Sequence, residues 1–335
     1  MITHLFRLAL LANLITSLGI FAQAQNAPDS PRRPVHTYSI VARDPATGEL
    51  GVAVQSHWFS VGPMVPWAEA GVGAIATQSF VDPAYGHSGL ALMRSGRSAP
   101  DALKELLAQD SSREVRQVAM IDAQGKVDAY TGSKCIQSAG DHVGTNYSVQ
   151  ANLMLNDAIW PAMAHAFENS NGDLANRMLA ALDAAQVAGG DIRGSQSAAL
   201  IIVSGKPTGK QWVDRTFDLR VEDSPNPLAE LRRLVVLQRA YNHMNAGDLA
   251  VENSDNKGAL REYAMASTLA RNNLEMLYWH AVALVNMGRV DESLPLFRQV
   301  FKEDQNWVKL TPHLLPAGVL PDDQSTLDRI LSVAN

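Results

Sequence analysis

Two runs of apolar and β-branched residues, 38–43 and 50–55, are joined by Asp44-Pro45-Ala46-Thr47-Gly48, and this pairing constrains the fold more than any other feature of the chain. Strand-forming runs that close on a turn of Asp, Pro and Gly pair as an antiparallel hairpin. Residues 71–78 read as a third strand. Helical spacing follows at 88–94 and again at 101–109, where Pro100 precedes Ala102, Leu103, Leu106 and Leu107. A second hairpin spans 115–122 and 126–131 about Ala123-Gln124-Gly125. Beyond it the pattern predicts a strand at 147–153, helices at 157–167 and 174–187, and strands at 197–204 and 212–221. Strands in hairpins and helices in pairs imply an α+β class, with two stacked antiparallel sheets between helical layers.

The chain is long enough, at 335 residues with 46% hydrophobic, for one large domain and a smaller one. Its formal net charge of -6 leaves no basic footprint, which argues against a nucleic-acid partner and against an anionic membrane surface. A single cysteine, Cys135, excludes an intrachain disulfide and reads as a small packed residue. His57 and His87 lack metal-ligand spacing and read as hydrogen-bonded structural residues, so neither metal nor cofactor is expected.

Residues 1–24 have the pattern of a secretory signal peptide: Arg7, an apolar run at 8–21, then Ala22-Gln23-Ala24. Asn13, Thr16 and Ser17 interrupt the run, which is too short for the roughly 20 apolar residues of a spanning helix. A periplasmic or secreted protein is expected. Residues 25–36, with Pro28, Pro31 and Pro34, read as a flexible leader.

From residue 226 onward the texture is helical. Leu277, Ala281, Leu284, Gly288, Ser293, Phe297 and Val300 fall at the spacing of a tetratricopeptide repeat. A weaker copy uses Val236, Ala240 and Gly247, then Ala259, Tyr263 and Ala266, with an insertion within 248–258. Two repeats are fewer than a free-standing array needs, so they are expected to dock on the main domain, 37–223, or on a second copy in a homo-oligomer. Such a module, 226–335, suits a protein or peptide partner.

The chemistry-bearing candidates cluster at strand ends. Thr37 opens the first strand; were the chain cut after His36, its α-amine, with a reference pKa of about 7.7 to 8, could activate its own hydroxyl as a nucleophile. The plain alternative is a strand residue of good β-propensity. In the glycine-rich run from Gly189 to Ser197, Arg193 can fork onto a carboxylate, while Gln196 and Ser197 can donate to an oxyanion. An internal Asp191–Arg193 pair locking the loop is the alternative there. Thr77, Gln78 and Ser79, with Asp82 beyond them, end a strand where substrate contacts commonly sit, or else cap the next helix. Asn146 and Asn152 could orient an amide, although turn and strand-end roles explain them equally.

Six runs in order carry a family resemblance: Thr37-Tyr38-Ser39-Ile40-Val41-Ala42-Arg43-Asp44, Gly48-Glu49-Leu50-Gly51-Val52-Ala53-Val54, Ala70-Gly71-Val72-Gly73-Ala74-Ile75-Ala76-Thr77-Gln78-Ser79, Tyr130-Thr131-Gly132, Tyr147-Ser148-Val149-Gln150, and Gly189-Gly190-Asp191-Ile192-Arg193-Gly194-Ser195-Gln196-Ser197-Ala198-Ala199. Together they resemble an uncharacterised bacterial family placed among the N-terminal nucleophile hydrolases, over residues 37–223. The resemblance implies a four-layer αββα sandwich, with Thr37 as nucleophile toward a small amide or peptide bond. Threonine-type members of that superfamily also use a downstream acid and lysine, and residues 55–69 hold no lysine. A non-catalytic binding protein of the same fold is the alternative function. The leader yields a first prediction: fractionation of expressing cells should place a form lacking residues 1–24 in the periplasm or medium, and a full-length cytoplasmic product would contradict it.

Overall fold

The computed structural model describes Val35 and residues 37–334; apart from Val35, the segments read as signal peptide and leader lie outside the described residues. The opening hairpin forms as its turn chemistry dictates. Strand β1 (Thr37–Arg43) pairs antiparallel with β2 (Leu50–Ser56), Thr37 opposite Ser56. The Asp44 carboxylate accepts from Ala46 N at 2.8 Å and Thr47 N at 3.2 Å, and Gly48 takes a φ of 78°, which only glycine adopts without strain.

Ten strands among the described residues make two antiparallel sheets. The remaining strands are β3 (Pro66–Glu69), β4 (Gly73–Ser79), β5 (Arg116–Asp122), β6 (Val127–Thr131), β7 (Gly140–Gly144), β8 (Tyr147–Asn152), β9 (Ser197–Val203) and β10 (Arg215–Val221). The larger sheet runs β10-β9-β2-β1-β8-β7 and the smaller β3-β4-β5-β6. Alternation sorts the side chains of β1 and β2: Val41, Leu50, Val52 and Val54 enter the core between the sheets, while Tyr38, Ile40, Ala42 and Ala53 enter the core beneath the helices. Helices α1 (Ala84–Arg94) and α2 (Ala99–Gln109) cover the smaller sheet, and α3 (Ile159–Asn169) and α4 (Leu174–Val187) cover the larger.

Several expected boundaries shift for local reasons. Helix α1 begins earlier than its apolar spacing suggests because Asp82 Oδ1 accepts from Ala84 N at 2.9 Å, and its Gly86 and Gly89 press against Trp67 and Ile75. Trp212 and Val213 are not strand residues. They stand exposed on a helical turn, α5 (Gln211–Asp214), which Asp214 Oδ1 ties down by accepting from Thr208 N at 2.9 Å and Thr208 Oγ1 at 2.8 Å. Strands β3 and β7 carry no sequence signature, since Pro66, Gly140, Asp141 and Gly144 are poor strand formers; pairing alone makes them strands.

The C-terminal helical region does not part cleanly from the sheets. Helix α6 (Pro227–Glu252) buries Leu228, Leu231 and Val235 in the same core as α4, so its first half belongs to the α+β unit. Arg239 reaches Asp173 at 2.7 Å, and Arg232 pairs with Asp183 of α4. The extra residues after Gly247 extend this helix, because a Cβ at Gly247 would meet the Tyr263 ring at 2.8 Å: the glycine is a close crossing with α7 (Asn256–Leu269), not a terminus. Beyond it α8 (Leu274–Asn286) and α9 (Val290–Glu303) bury Leu277, Ala281, Phe297 and Val300 in a shared core, and α10 (Asn306–Leu310) and α11 (Gln324–Leu331) close the chain. No helix among the described residues is long and apolar enough to cross a membrane.

Truncation after Asp223 should therefore destabilise the sheet unit, by about 3 kcal/mol or more, because it strips three buried aliphatic side chains from the core. Truncation after Glu252 retains them and should be milder. Urea unfolding of the two truncated chains checks the order, and equal stabilities would contradict the placement of α6.

Candidate functional site

One end of the sandwich collects the polar residues that elsewhere would be apolar. On the inward face of β1, Thr37 and Ser39 replace the aliphatic residues that occupy Val41; on β8, Ser148, Gln150 and Asn152 do the same, and Gln78 and Gln117 face them from β4 and β5. All seven are fully buried. Buried amides and hydroxyls cost several kcal/mol each unless partnered, and here they partner one another across the gap between sheets.

Gln78 is the crossing point. Its Oε1 accepts from Ser39 Oγ at 2.6 Å, while its Nε2 lies 2.8 Å from Gln117 Oε1 and 3.2 Å from the Thr37 carbonyl. Gln117 Nε2 in turn reaches the Ala151 carbonyl at 2.9 Å and Thr131 Oγ1 at 2.9 Å; its Oε1 also accepts from Asn152 Nδ2 at 2.9 Å. Gln150 Nε2 donates to Ser39 Oγ at 2.6 Å and Ser148 Oγ to Gln150 Oε1 at 3.2 Å. The network spans both sheets and meets a carboxylate at its margin, where Thr131 Oγ1 donates to Asp141 Oδ1.

Thr37 stands at its outer edge, buried beneath Val35. The hydroxyl donates to the Val35 carbonyl at 3.0 Å and lies 3.2 Å from Ser56 Oγ. Val35 is itself buried and doubly bonded to the end of β4, Val35 N to Ser79 O at 2.5 Å and Ser79 N to Val35 O at 3.0 Å. Ser79 bends there with a φ of 66°, and its hydroxyl is buried without a hydrogen-bond partner of ordinary geometry. A non-glycine residue held in the left-handed region stores strain, and such positions cluster at functional sites.

The glycine-rich loop arrives at the same end, beside the termini of β1 and β8. Asp191 bridges Met154, just past β8, and Ile192 N donates to the Leu153 carbonyl at 3.3 Å. Gly189, Gly190 and Gly194 all have positive φ. Within the loop the Asp191 carboxylate is buried and accepts from Arg193 N at 2.9 Å, Arg193 Nε at 3.0 Å and an Arg193 terminal nitrogen at 2.7 Å, the locking pair that was the structural alternative for this motif. It also takes a long bond, 3.4 Å, from His57 N. Burial, reinforced by Asp183 and Asp191, holds the Tyr38 hydroxyl well above the ordinary phenol range as it donates to Gln186 Oε1 at 3.0 Å.

Of the residues singled out from sequence, Thr37, Gln78, Ser79, Asp191 and Arg193 sit at this end. Three others serve the scaffold in the arrangement seen. Thr77 points to the helix side and bonds the Asp82 carbonyl at 3.2 Å; Gln196 Nε2 reaches Asp223 at 3.1 Å; and Ser197 Oγ, bonded to the Trp58 carbonyl at 2.5 Å and to Val61 N at 3.2 Å, pins the loop after β2. Asn146 makes the β7–β8 turn with a φ of 63°. The His57 ring differs from its expected bonded role, as Nδ1 is buried without a partner, and the His87 ring packs tilted against Trp67, centroids 4.4 Å apart. Cys135 is packed, and burial raises its thiol pKa.

Sequence reasoning missed Ser39, Gln117, Ser148 and Gln150 because strand-propensity reading weighs apolar residues; for Ser39, Ser148 and Gln150 the period-2 spacing on β1 and β8 was the available signal. Gln55 was also missed. It faces the helix layer beside Tyr38, fully buried, with neither amide atom partnered. No group of three or more His, Cys, Asp or Glu among the described residues is placed to hold a metal ion.

Gln78→Leu should lower stability by at least about 2 kcal/mol, since it orphans several buried partners, whereas Gln196→Ala, which loses one exposed bond, should cost less than about 1 kcal/mol. Urea denaturation of both variants checks this, and equal effects would contradict the network's central position.

Comparison with known proteins agrees in extent with the sheet unit. A family model described as a family of unknown function, DUF1028, matches residues 37–231, ending within the first half of α6. No curated protein matches. A similar solved structure is that of protein SPO2555 from Silicibacter pomeroyi, described with the same family: 31% identity, a TM-score of 0.54, and coverage of 60% of this chain and 84% of that one. The chain belongs to the DUF1028 family of unknown function.

Proposed function

We propose that this protein is an exported hydrolase of the N-terminal nucleophile type, latent until the chain is cut before Thr37, and acting on a small amide or peptide bond. The observation that carries the reading is the position of Thr37: a hydroxyl at the head of a central strand, within 3.2 Å of Ser56 Oγ, its own carbonyl anchored by Gln78. The order of helices, sheet, sheet and helices supports the four-layer αββα arrangement in which such nucleophiles act.

In the uncut chain Thr37 N is a peptide nitrogen, without the basicity of an amine, and the hydroxyl is spent on Val35. Scission before Thr37 changes both. The nitrogen becomes an amine next to its own hydroxyl, able to take the proton as the oxygen attacks a carbonyl. Departure of the Val35 segment also frees Ser79 N, Ser79 O and the Thr37 hydroxyl together. Ser79 N and the Asn152 amide, which lies 3.5 Å from the Thr37 carbonyl, are then neutral donors near the reacting atoms. Arg193, forked onto Asp191, fixes the adjoining loop beside this end.

A second reading, a non-catalytic binding protein whose tetratricopeptide-like helices hold a peptide partner, is favoured by the same Val35 contacts if the chain is never cut: the bridge to Ser79 then closes the end of the sandwich permanently. Activity variants separate the two. With acyl and aminoacyl p-nitroanilides as probes, protein beginning at Thr37 should release nitroaniline, Thr37→Ala should lose at least about a thousandfold of the rate, and Thr37→Ser should keep part of it. Release that survives Thr37→Ala, or none from protein beginning at Thr37, contradicts the hydrolase reading.

A further inference from the structure

The two sheets differ in width, and the mismatch leaves a cleft away from Thr37. Strand β6 packs over β7 and β8 at one side, while β3 packs over β2 and β9 at the other, so β10 extends past the edge of the smaller sheet. Phe217 and Val221 of β10 turn toward the helix core, and on this overhang the strand carries Asp218 and Arg220, with Arg215 at its start, in place of apolar residues. The cavity between the overhang, the free edge of β3 and helix α1 has a volume of about 620 Å³, within the range of small-molecule sites.

Its walls are of two kinds. Pro66 and Trp67 of β3 and Pro207 of the loop before α5 supply rigid, flat apolar surface. The Trp67 ring is held in place by its indole nitrogen, which donates to the Met64 carbonyl at 3.1 Å, and by the His87 ring. Arginine supplies the other wall, and the pairing of each side chain identifies which guanidinium keeps its terminal nitrogens for a ligand. Arg94 is cancelled by Glu69 in a two-bond pair. The Asp214 carboxylate is buried and turned into its own loop by Thr208. Arg215 and Arg220 share one carboxylate, Asp218, at 2.6 Å and 3.3 Å. Asp218 and the nearby Asp214 carboxylate together balance Arg215 and Arg220, so the cleft carries no net surplus charge, but the terminal nitrogens of Arg220 are not taken up by Asp218.

Arg220 is also pre-positioned. Its aliphatic stem lies across Gly62, where a Cβ would come within 2.8 Å of Arg220 Cδ. Only its Nε is engaged, weakly, by Asp218. A guanidinium with its terminal nitrogens available forms the fork that matches a carboxylate. A cleft with no net surplus of positive charge suits a monoanion better than a phosphate dianion.

We propose that this cleft binds a small organic carboxylate with a flat apolar body, the carboxylate on Arg220 with support from Arg215 and the body against Trp67, Pro66 and Pro207. The proposal is independent of any reaction at Thr37. Fixed flat walls lower the ordering cost of an aromatic or planar ligand, and the Arg220 fork distinguishes an acid from its neutral amide.

Calorimetric titration of the whole chain with 1-naphthoate and with 1-naphthamide tests it. The acid should bind at least tenfold more tightly than the amide, Arg220→Gln should remove that preference, and Asp218→Asn, which releases both guanidiniums, should tighten the acid severalfold. Thr37→Ala should leave all of this unchanged. Circular dichroism establishes that each variant is folded, and should Arg220→Gln fail to fold, the Asp218→Asn gain decides alone. Equal affinity for acid and amide, no heat of binding at millimolar naphthoate, no gain in Asp218→Asn, or loss of binding in Thr37→Ala each overturns the proposal.

Discussion

The Gln78 side chain joins the two sheets at the end where the chain enters the fold. A sandwich of two antiparallel sheets needs only apolar contact to cohere, and through Leu50, Val52, Val54, Ala74 and Ala76 this one has it. At the Thr37 end the apolar contact stops and one amide takes over, accepting from Ser39 and donating toward Gln117 and the Thr37 carbonyl. Apolar packing tolerates sliding by fractions of an ångström, but a buried amide with committed partners does not. The position of the first residue of β1 is thereby fixed relative to β4, β5 and β8, and everything at this end, Val35, Ser79 and the glycine-rich loop, is placed around it.

That fixing bears on chemistry because polar burial is costly and gives nothing to simple stability. Replacing the network with aliphatic residues would preserve the stacking; retaining seven buried polar side chains at one end holds a particular geometry instead. The Val35 bridge adds a consequence. As long as Val35 sits between Thr37 and Ser79, the hydroxyl, the strained serine and the strand end satisfy one another, and the site is closed by the chain's own backbone.

Much of the scaffold was legible in the sequence and much of the site was not, for one physical reason. Strands β1, β2, β5 and β9 are continuous or alternating apolar runs, so local propensity and tertiary burial point the same way. Part of the candidate site was singled out too: Thr37 by its place before the hairpin, Asp191 and Arg193 by the glycines around them. Gln117 was not, since a lone glutamine inside an apolar strand has no local signature, and only the facing sheet shows what its amide reaches. Strand β3 was hidden for the same reason: Pro66 argues against a strand until the edge position, where no hydrogen-bond donor is needed, makes it acceptable. The helical region was legible as helix pairs; the attachment of α6 to the sheet core was not, because Leu228, Leu231 and Val235 fit a helix stripe facing either way.

The proposed chemistry at Thr37 depends on whether the closed end is ever opened. Intact mass and N-terminal sequencing of the mature protein recovered from the periplasm or medium of expressing cells read this directly. A chain beginning at Thr37 is the predicted result, because only that cut makes the amine and removes the Val35 bridge. A mature protein that begins near residue 25 and stays so on prolonged incubation would contradict it.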